Sequence, residues 1–243
     1  MTAQRAFLTA EWRHLVMLNY RVDPAILLPR VPAGTVLDEW NGNVYVSMVG
    51  FMFEQTKVRG VTIPFHVNFE EINLRFYVRR EVAGEIRRGV VFVKEIVPKR
   101  MIALVARTLY NENYVAHPTR NNRMLPGAGT DSRGVIAYEW QNGGRWNRLA
   151  ATISGEPALA PLDSEEAFIS EHYWGYARQR DGGTVEYQVE HPRWNVWNAL
   201  DSEFDCDVSS MYGDEFAEAL SAPPVSAFVA DGSAVCVRQG SRL

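Results

Sequence analysis

The sequence predicts an α+β protein dominated by antiparallel strands, a barrel or sandwich carrying short peripheral helices. Three observations predict it. Runs mixing β-branched and aromatic residues recur, as in NVYVSMVGFMF (43–53) and INLRFYV (72–78). Glycine-bearing turns separate pairs of such runs. Helical spacing of apolar residues is confined to a few short segments.

In chain order, VDPAILLPRV (22–31) reads as a helix capped by Asp23, and 43–53 as a strand. Residues 70–82 and 86–97 form a predicted hairpin about Gly84-Glu85. Pro98 suits a first helical position, and Met101, Leu104, Val105, Thr108 and Leu109 then share one helix face. HPTRNNRMLPGAGTDSRG (117–134) reads as a polar loop, and 134–155 as a hairpin about Asn142-Gly143-Gly144. Ser164 and its following acids open a helix whose aromatic tail, to 177, reads as strand. HPRWNVWN (191–198) is either an aromatic lid or core packing, and DEFAEAL (214–220) is a short helix. Asp231-Gly232, between two β-rich arms, predicts a last hairpin over 225–240.

No composition shift marks a linker in the 243 residues, so a single domain over 1–243 is expected. A formal net charge of −4 supplies no basic field for nucleic acid or anionic lipid. The N-terminal stretch is broken by Arg5, Glu11, Arg13 and His14, unlike a signal peptide, and no apolar run approaches membrane-spanning length. A soluble cytoplasmic protein without nucleic-acid or membrane partners is expected. Cys206 and Cys236 match no redox or metal spacing and are expected as small buried hydrophobes. His14, His66, His117, His172 and His191 show no zinc spacing, and no phosphate loop, dinucleotide fingerprint or serine elbow is present. No metal or cofactor is expected.

Two stretches carry chemistry. In NFEEINLRFYV, period two sets Ile72, Leu74, Phe76 and Val78 against Glu71, Asn73, Arg75 and Tyr77. The polar row is either the solvated side of a sheet or the inner wall of a ligand cavity. In the second case Arg75 suits a carboxylate and Glu71 suits its orientation or proton transfer. The other stretch is VPKRMIALVARTLYNENY (97–114), where Lys99 and Arg100 follow Pro98. It is either a solvated helix start or an amine made nucleophilic by a neighbouring cation, a helix terminus and burial. An ordinary lysine titrates near ~10.4, so reaching neutrality takes roughly 5 kcal/mol. A helix terminus supplies only about 0.3–1 kcal/mol, so burial must do most of it.

The runs WRHLVMLNYRVDP, VYVSMVGFMF, PFHVNFEEINLRFYVRRE, VPKRMIALVARTLYNENY, EHYWGY and SAFVADGS together resemble the uncharacterised YqjF-type branch of the acetoacetate decarboxylase-like superfamily. The likeness spans nearly the whole chain. It implies a β-barrel-like sheet with outer helices, an internal cavity and a homo-oligomer. Pro98-Lys99-Arg100 resembles the decarboxylase's proline-lysine-lysine motif. The likeness gives Lys99 the Schiff-base position, Arg100 the place of the activating second lysine, and Arg13 that of a pocket arginine. The decarboxylase's pocket glutamate falls near Val58, where no carboxylate stands, leaving Glu70 or Glu71 to replace it.

The resulting expectation is a lyase acting on a small oxo acid through a lysine imine. Lys99 forms the imine and Arg100 tunes it. Arg13, Asn73, Arg75 and Tyr77 line the substrate site, and Glu71, Glu112 or His172 moves protons. The alternative is a protein that keeps the cavity and binds a small molecule without turnover.

Overall fold

The computed structural model describes residues 5–99, 113–127 and 132–243. Its strands fall into two sheets. The larger, with thirteen strands among the described residues, is mainly antiparallel and runs through β1 (Ala6–Val22), β3 (Val44–Val58), β5 (Phe69–Val82) and β6 (Glu85–Val97). Beyond β6 come β12 (Trp174–Arg178) and β13 (Thr184–Glu190), and beyond β1 comes β16 (Ser226–Arg238). Val189 and Glu190 of β13 reach Val237 and Cys236 of β16. The sheet therefore curls until its ladder meets itself over two residue pairs, a curled sheet more than a regular barrel. The smaller sheet has the order β15 (Asp201–Asp205), β10 (Arg145–Ser154), β9 (Arg133–Asn142), β8 (Thr119–Met124).

The small sheet covers the convex face of the large one. Ile72, Leu74, Phe76 and Val78 of β5 bury there against Tyr138, Trp140 and Leu149. The concave face holds a second apolar cluster with Trp12, Phe51, Phe53, Phe69, Tyr114 and Trp194. Both faces of β5 are thus covered, and its polar row is not the solvated side of a sheet.

Most local expectations hold. Asp23 Oδ1 accepts from the Ala25 N–H at 2.8 Å and starts a helix at Pro24–Leu27. Ser164 caps Glu165–Ser170, followed by strand β12. The β5–β6 hairpin turns at Ala83-Gly84, one residue earlier than expected, and both residues adopt positive φ. The β9–β10 hairpin turns at Gly143-Gly144. Residues 214–220 begin as a 3-10 turn over Asp214–Phe216 and continue as Ala217–Ser221.

Three expectations are corrected. Residues 225–240 do not form a hairpin, because β16 runs through Asp231-Gly232 without reversing. Gly232, at φ 83°, stands opposite Arg13 in unbroken register with β1, where the Trp12 carbonyl approaches so closely that a Cβ would lie 1.9 Å from its oxygen. Close backbone approach, not chain reversal, is what this glycine permits. The polar segment 117–134 is also not all loop. β8 within it pairs with β9, its polarity reflecting an exposed edge strand. Cys206 and Cys236 are free thiols and half-buried, not fully buried. The helix expected over 101–109 lies outside the described residues.

Candidate active site

Three bulges decide which residues reach the concave side. In β1, His14 takes φ 54° and the register against β3 shifts between Arg13 and Val16. The inward set therefore changes from Leu8, Ala10 and Trp12 to Leu15 and Met17. In β3, Gln55 at φ 54° passes the inward role from Phe51 and Phe53 to Thr56 and Val58. In β6, Lys94 pairs with Leu74 but Phe92 pairs with Arg75, so Val93 is the extra residue. Val90 and Phe92 face inward before it, and Glu95 faces inward after it. Simple alternation would have sent Glu95 outward.

These devices enclose a cavity of about 220 Å³. Its walls are largely aromatic and aliphatic, with Phe7, Trp12, Phe51, Phe53, Phe69, Phe92, Trp174 and Trp194 among them. Its polar groups are Glu71, Asn73 and Arg75 of the β5 row, with Glu95, three histidines (His66, His172 and His191) and the hydroxyl residues Thr56, Tyr114, Ser170 and Tyr187. Val58 also lines it, so the position lacking a carboxylate does face the cavity, and Glu71 supplies one from β5. Glu70 points elsewhere, accepting from Thr119 Oγ1 at 2.8 Å and from Asn121 Nδ2.

Glu71 is almost wholly enclosed. Burial pushes its carboxyl up to about 7, against the opposing pull of hydrogen bonds from Asn73 and Tyr114 and of the Arg75 charge. Asn73 Nδ2 donates to Oε1 at 3.1 Å and the Tyr114 hydroxyl to Oε2 at 3.0 Å. Arg75, 8% exposed, has no carboxylate within 4.0 Å among the described residues. Its guanidinium donates instead to the Tyr77 hydroxyl at 3.4 Å and the Ile169 carbonyl at 3.4 Å. Long neutral contacts leave a buried cation with no carboxylate in ion-pair range among the described residues, which is costly unless an anion completes the site.

Tyr77 lies behind Arg75, outside the lining, and anchors it. Its hydroxyl shares a 2.6 Å bond with Ser47 Oγ, which donates to Asn19 Oδ1 at 2.6 Å, and Asn19 Nδ2 donates to Ser226 Oγ at 2.9 Å. His172 packs on the Tyr77 ring with centroids 4.5 Å apart. Burial, then the Arg88 and Arg75 charges, bring its ring down to about 4 despite the opposing effect of Asp38, so near neutrality it is uncharged. Glu71, raised by burial, is therefore a lining group able to exchange a proton near neutral pH.

The other expected residues lie apart. Lys99 is half-buried just beyond the end of β6 and is not among the described lining residues. Arg13 lies on β1, ion-paired with Glu11 at 2.6 Å, outside the lining. Arg100 and Glu112 lie outside the described residues. In the 191–198 stretch, Trp194 lines the cavity and stacks on His191 at 4.1 Å, while Trp197 packs in the convex core. Sequence reading missed Glu95 as a site group, because a bulge hides it. Tyr114 of the NENY run, which the sequence offers either to close the pocket or to cap the helix expected before it, lines the cavity and bonds Glu71. Among the described residues no cluster of three or more His, Cys, Asp or Glu is placed to hold a metal, and no helix is long and apolar enough to cross a membrane.

The fold is that of acetoacetate decarboxylase-like enzymes. Such an enzyme from Sphingomonas wittichii RW1 matches at TM-score 0.64 and 15% identity, over 98% of this chain and 93% of that one. The enduracididine biosynthesis enzyme MppR complexed with pyruvate matches at TM-score 0.67 and 15% identity, over 100% and 91%. Acetoacetate decarboxylase from Legionella pneumophila matches at TM-score 0.63 and 12% identity, over 100% and 90%. Within that fold, residues 9–234 match the DUF2071 family, described as an uncharacterized conserved protein, and the chain belongs to it. The uncharacterized protein YqjF of Bacillus subtilis (strain 168) is 26% identical over 189 residues, 77% of this chain and 74% of that protein.

Proposed function

We propose that the chain is an enzyme acting on a small oxo acid, with Arg75 holding the carboxylate and Glu71 moving a proton. The observation that supports this reading best is the buried Arg75 guanidinium on the cavity wall, with no carboxylate within 4.0 Å among the described residues. A substrate carboxylate supplies that missing charge bidentately. Glu71, balanced near neutrality beside it, gives or takes a proton at the carbon next to the carbonyl. The complex of MppR with pyruvate is consistent with an oxo-acid ligand.

The finer step belongs to Lys99. Its amine adds to the keto carbon, water leaves, and a protonated imine forms, with Arg100, next in the sequence, proposed to tune the amine. The imine nitrogen then accepts the electron pair released by loss of carbon dioxide from a 3-oxo acid or by loss of an α-proton. The enamine carbon takes up a proton in the first case or adds to a second substrate's aldehyde in the other, and hydrolysis returns the amine with a ketone or an aldol product. A binding protein without turnover is the second reading, favoured by the absence of Lys99 from the described lining. Homo-oligomeric assembly and cytoplasmic residence belong to the same proposal.

Incubation with acetoacetate, acetopyruvate or pyruvate, borohydride reduction and peptide mass mapping separate the readings. A stable mass gain on Lys99, lost in Lys99→Arg, supports imine chemistry. Ligand-induced thermal stabilisation without any adduct supports binding alone.

A further inference from the structure

We propose that Asp38, held ionised by Arg88, fixes His172 as the Nε2–H tautomer and so leaves Nδ1 as a hydrogen-bond acceptor for a ligand hydroxyl in the cavity. This adds a ligand requirement to the oxo-acid reading and rests on it for the ligand's carboxylate.

Asp38 follows the short strand Val36–Leu37 and is 4% exposed. Its backbone N–H donates to the Tyr77 carbonyl at 3.0 Å, which locks it beside the polar row of β5. Arg88 Nε donates to Asp38 Oδ2 at 2.6 Å, and the same guanidinium lies over the Phe168 ring at 4.5 Å. Burial alone would raise the Asp38 carboxyl, but the neighbouring His172 ring and the Arg88 guanidinium outweigh it and hold it below the usual range. The same Oδ2 stands 3.4 Å from His172 Nε2. That contact is longer than a formed hydrogen bond, as unliganded sites often are before a ligand tightens them.

The imidazole plane is clamped. Tyr77 lies against it at 4.5 Å and Phe168 meets it edge-on at 5.4 Å. Its side chain is 1% exposed and on the cavity wall. A neutral imidazole has one donor nitrogen and one acceptor nitrogen. An ionised carboxylate accepts only, so the proton belongs on Nε2 facing Asp38. The opposite tautomer would set two lone pairs against each other in a dry site. Neither ring nitrogen has a formed protein hydrogen bond among the described residues, and with the proton on Nε2 facing Asp38 it is Nδ1 that is left as an unmatched lone pair. Buried polar atoms left this way are matched by water or ligand, and the matching group here must be a donor. A 2-hydroxy acid, an enol or the hydroxyl of an imine precursor meets that need while its carboxylate meets Arg75. Asp38 is a positioning residue, and His172 touches the ligand.

The test is direct. Long-range proton–nitrogen correlation spectra of the whole protein, labelled in its five histidines, report each tautomer, with His172→Gln assigning the signal. The wild type is expected as Nε2–H, and Asp38→Asn, whose amide can donate to Nε2, is expected to populate Nδ1–H. Calorimetry with lactate and propionate at pH 7 reads the consequence. The wild type is expected to prefer lactate about tenfold, as one hydrogen bond warrants, and Asp38→Asn to lose that preference. An Nδ1–H ring in the wild type overturns the proposal, even if Asp38→Asn does not fold. So does an unchanged tautomer or a retained lactate preference in folded Asp38→Asn. If neither acid nor pyruvate binds the wild type while the tautomer switches as expected, the oxo-acid reading falls and the Asp38 assignment stands.

Discussion

Replacing Glu71 by Gln should make stability nearly independent of the pH range in which the wild type loses it. The native carboxyl is raised to about 7 from an ordinary 4.5, chiefly because burial disfavours its charge. Between those values the folded protein holds a proton that the unfolded chain has released. Stability from this group is therefore greatest at acid pH and declines as pH rises from about 4.5 to 7, after which the loss is complete. The interval of about 2.5 units corresponds to about 3 kcal/mol at 1.36 kcal/mol per unit. The substituted amide keeps an acceptor for the Tyr114 hydroxyl and carries no charge to desolvate. Urea unfolding at pH 5, 6, 7 and 8 should give a variant more stable by about 1 kcal/mol or less at pH 5 and by about 3 kcal/mol at pH 8. In thermal scans this amounts to about 6–12 °C for a chain of this size. Parallel pH–stability curves for the two proteins would refute the claim that this carboxyl is buried uncharged at neutrality. Turnover should move the other way, with Glu71→Gln losing the proton-transfer group and most activity.

Tyr114→Phe removes a hydrogen bond that favours the ionised carboxylate, so Glu71 should titrate higher, by about one unit, shifting the alkaline inflection of ligand binding upward. Binding measured from pH 5 to 9 checks this, and an unmoved inflection would separate Tyr114 from the titration. Gly232→Ala places a Cβ 1.9 Å from the Trp12 carbonyl oxygen at φ 83°, so it should cost about 3 kcal/mol or more in urea unfolding. Near-wild-type stability would mean that β1 and β16 do not approach each other as described.

The fold class was legible because strand periodicity and turn chemistry are local. Asp23 and Ser164 cap the helices that their side chains announce, and Gly143-Gly144 turns the hairpin expected of it. Asp231-Gly232 shows the limit. The same positive-φ glycine serves a hairpin turn or a close approach of two strands, and only the partner strand, here β1 at Trp12 and Arg13, decides. The polar row of β5 was also readable, as period two within one strand. Which side of the sheet it faced was not, because that depends on how the sheet curls. Glu95 was hidden for a related reason, since the bulge at Val93 reverses the alternation on which the reading relied. Asp38 was missed because its only local signal is a lone acid after a short strand. Its meaning comes from Arg88, fifty residues away, and from His172.

The claim that Arg75 waits in the cavity for an anion is open to one direct measurement, titration calorimetry with pyruvate at pH 6 on the wild type and Arg75→Gln. The account predicts saturable binding to the wild type, weakened about 30-fold or more in the variant, the effect of truncating one partner of a buried charge pair. Equal affinity in the two proteins would contradict it.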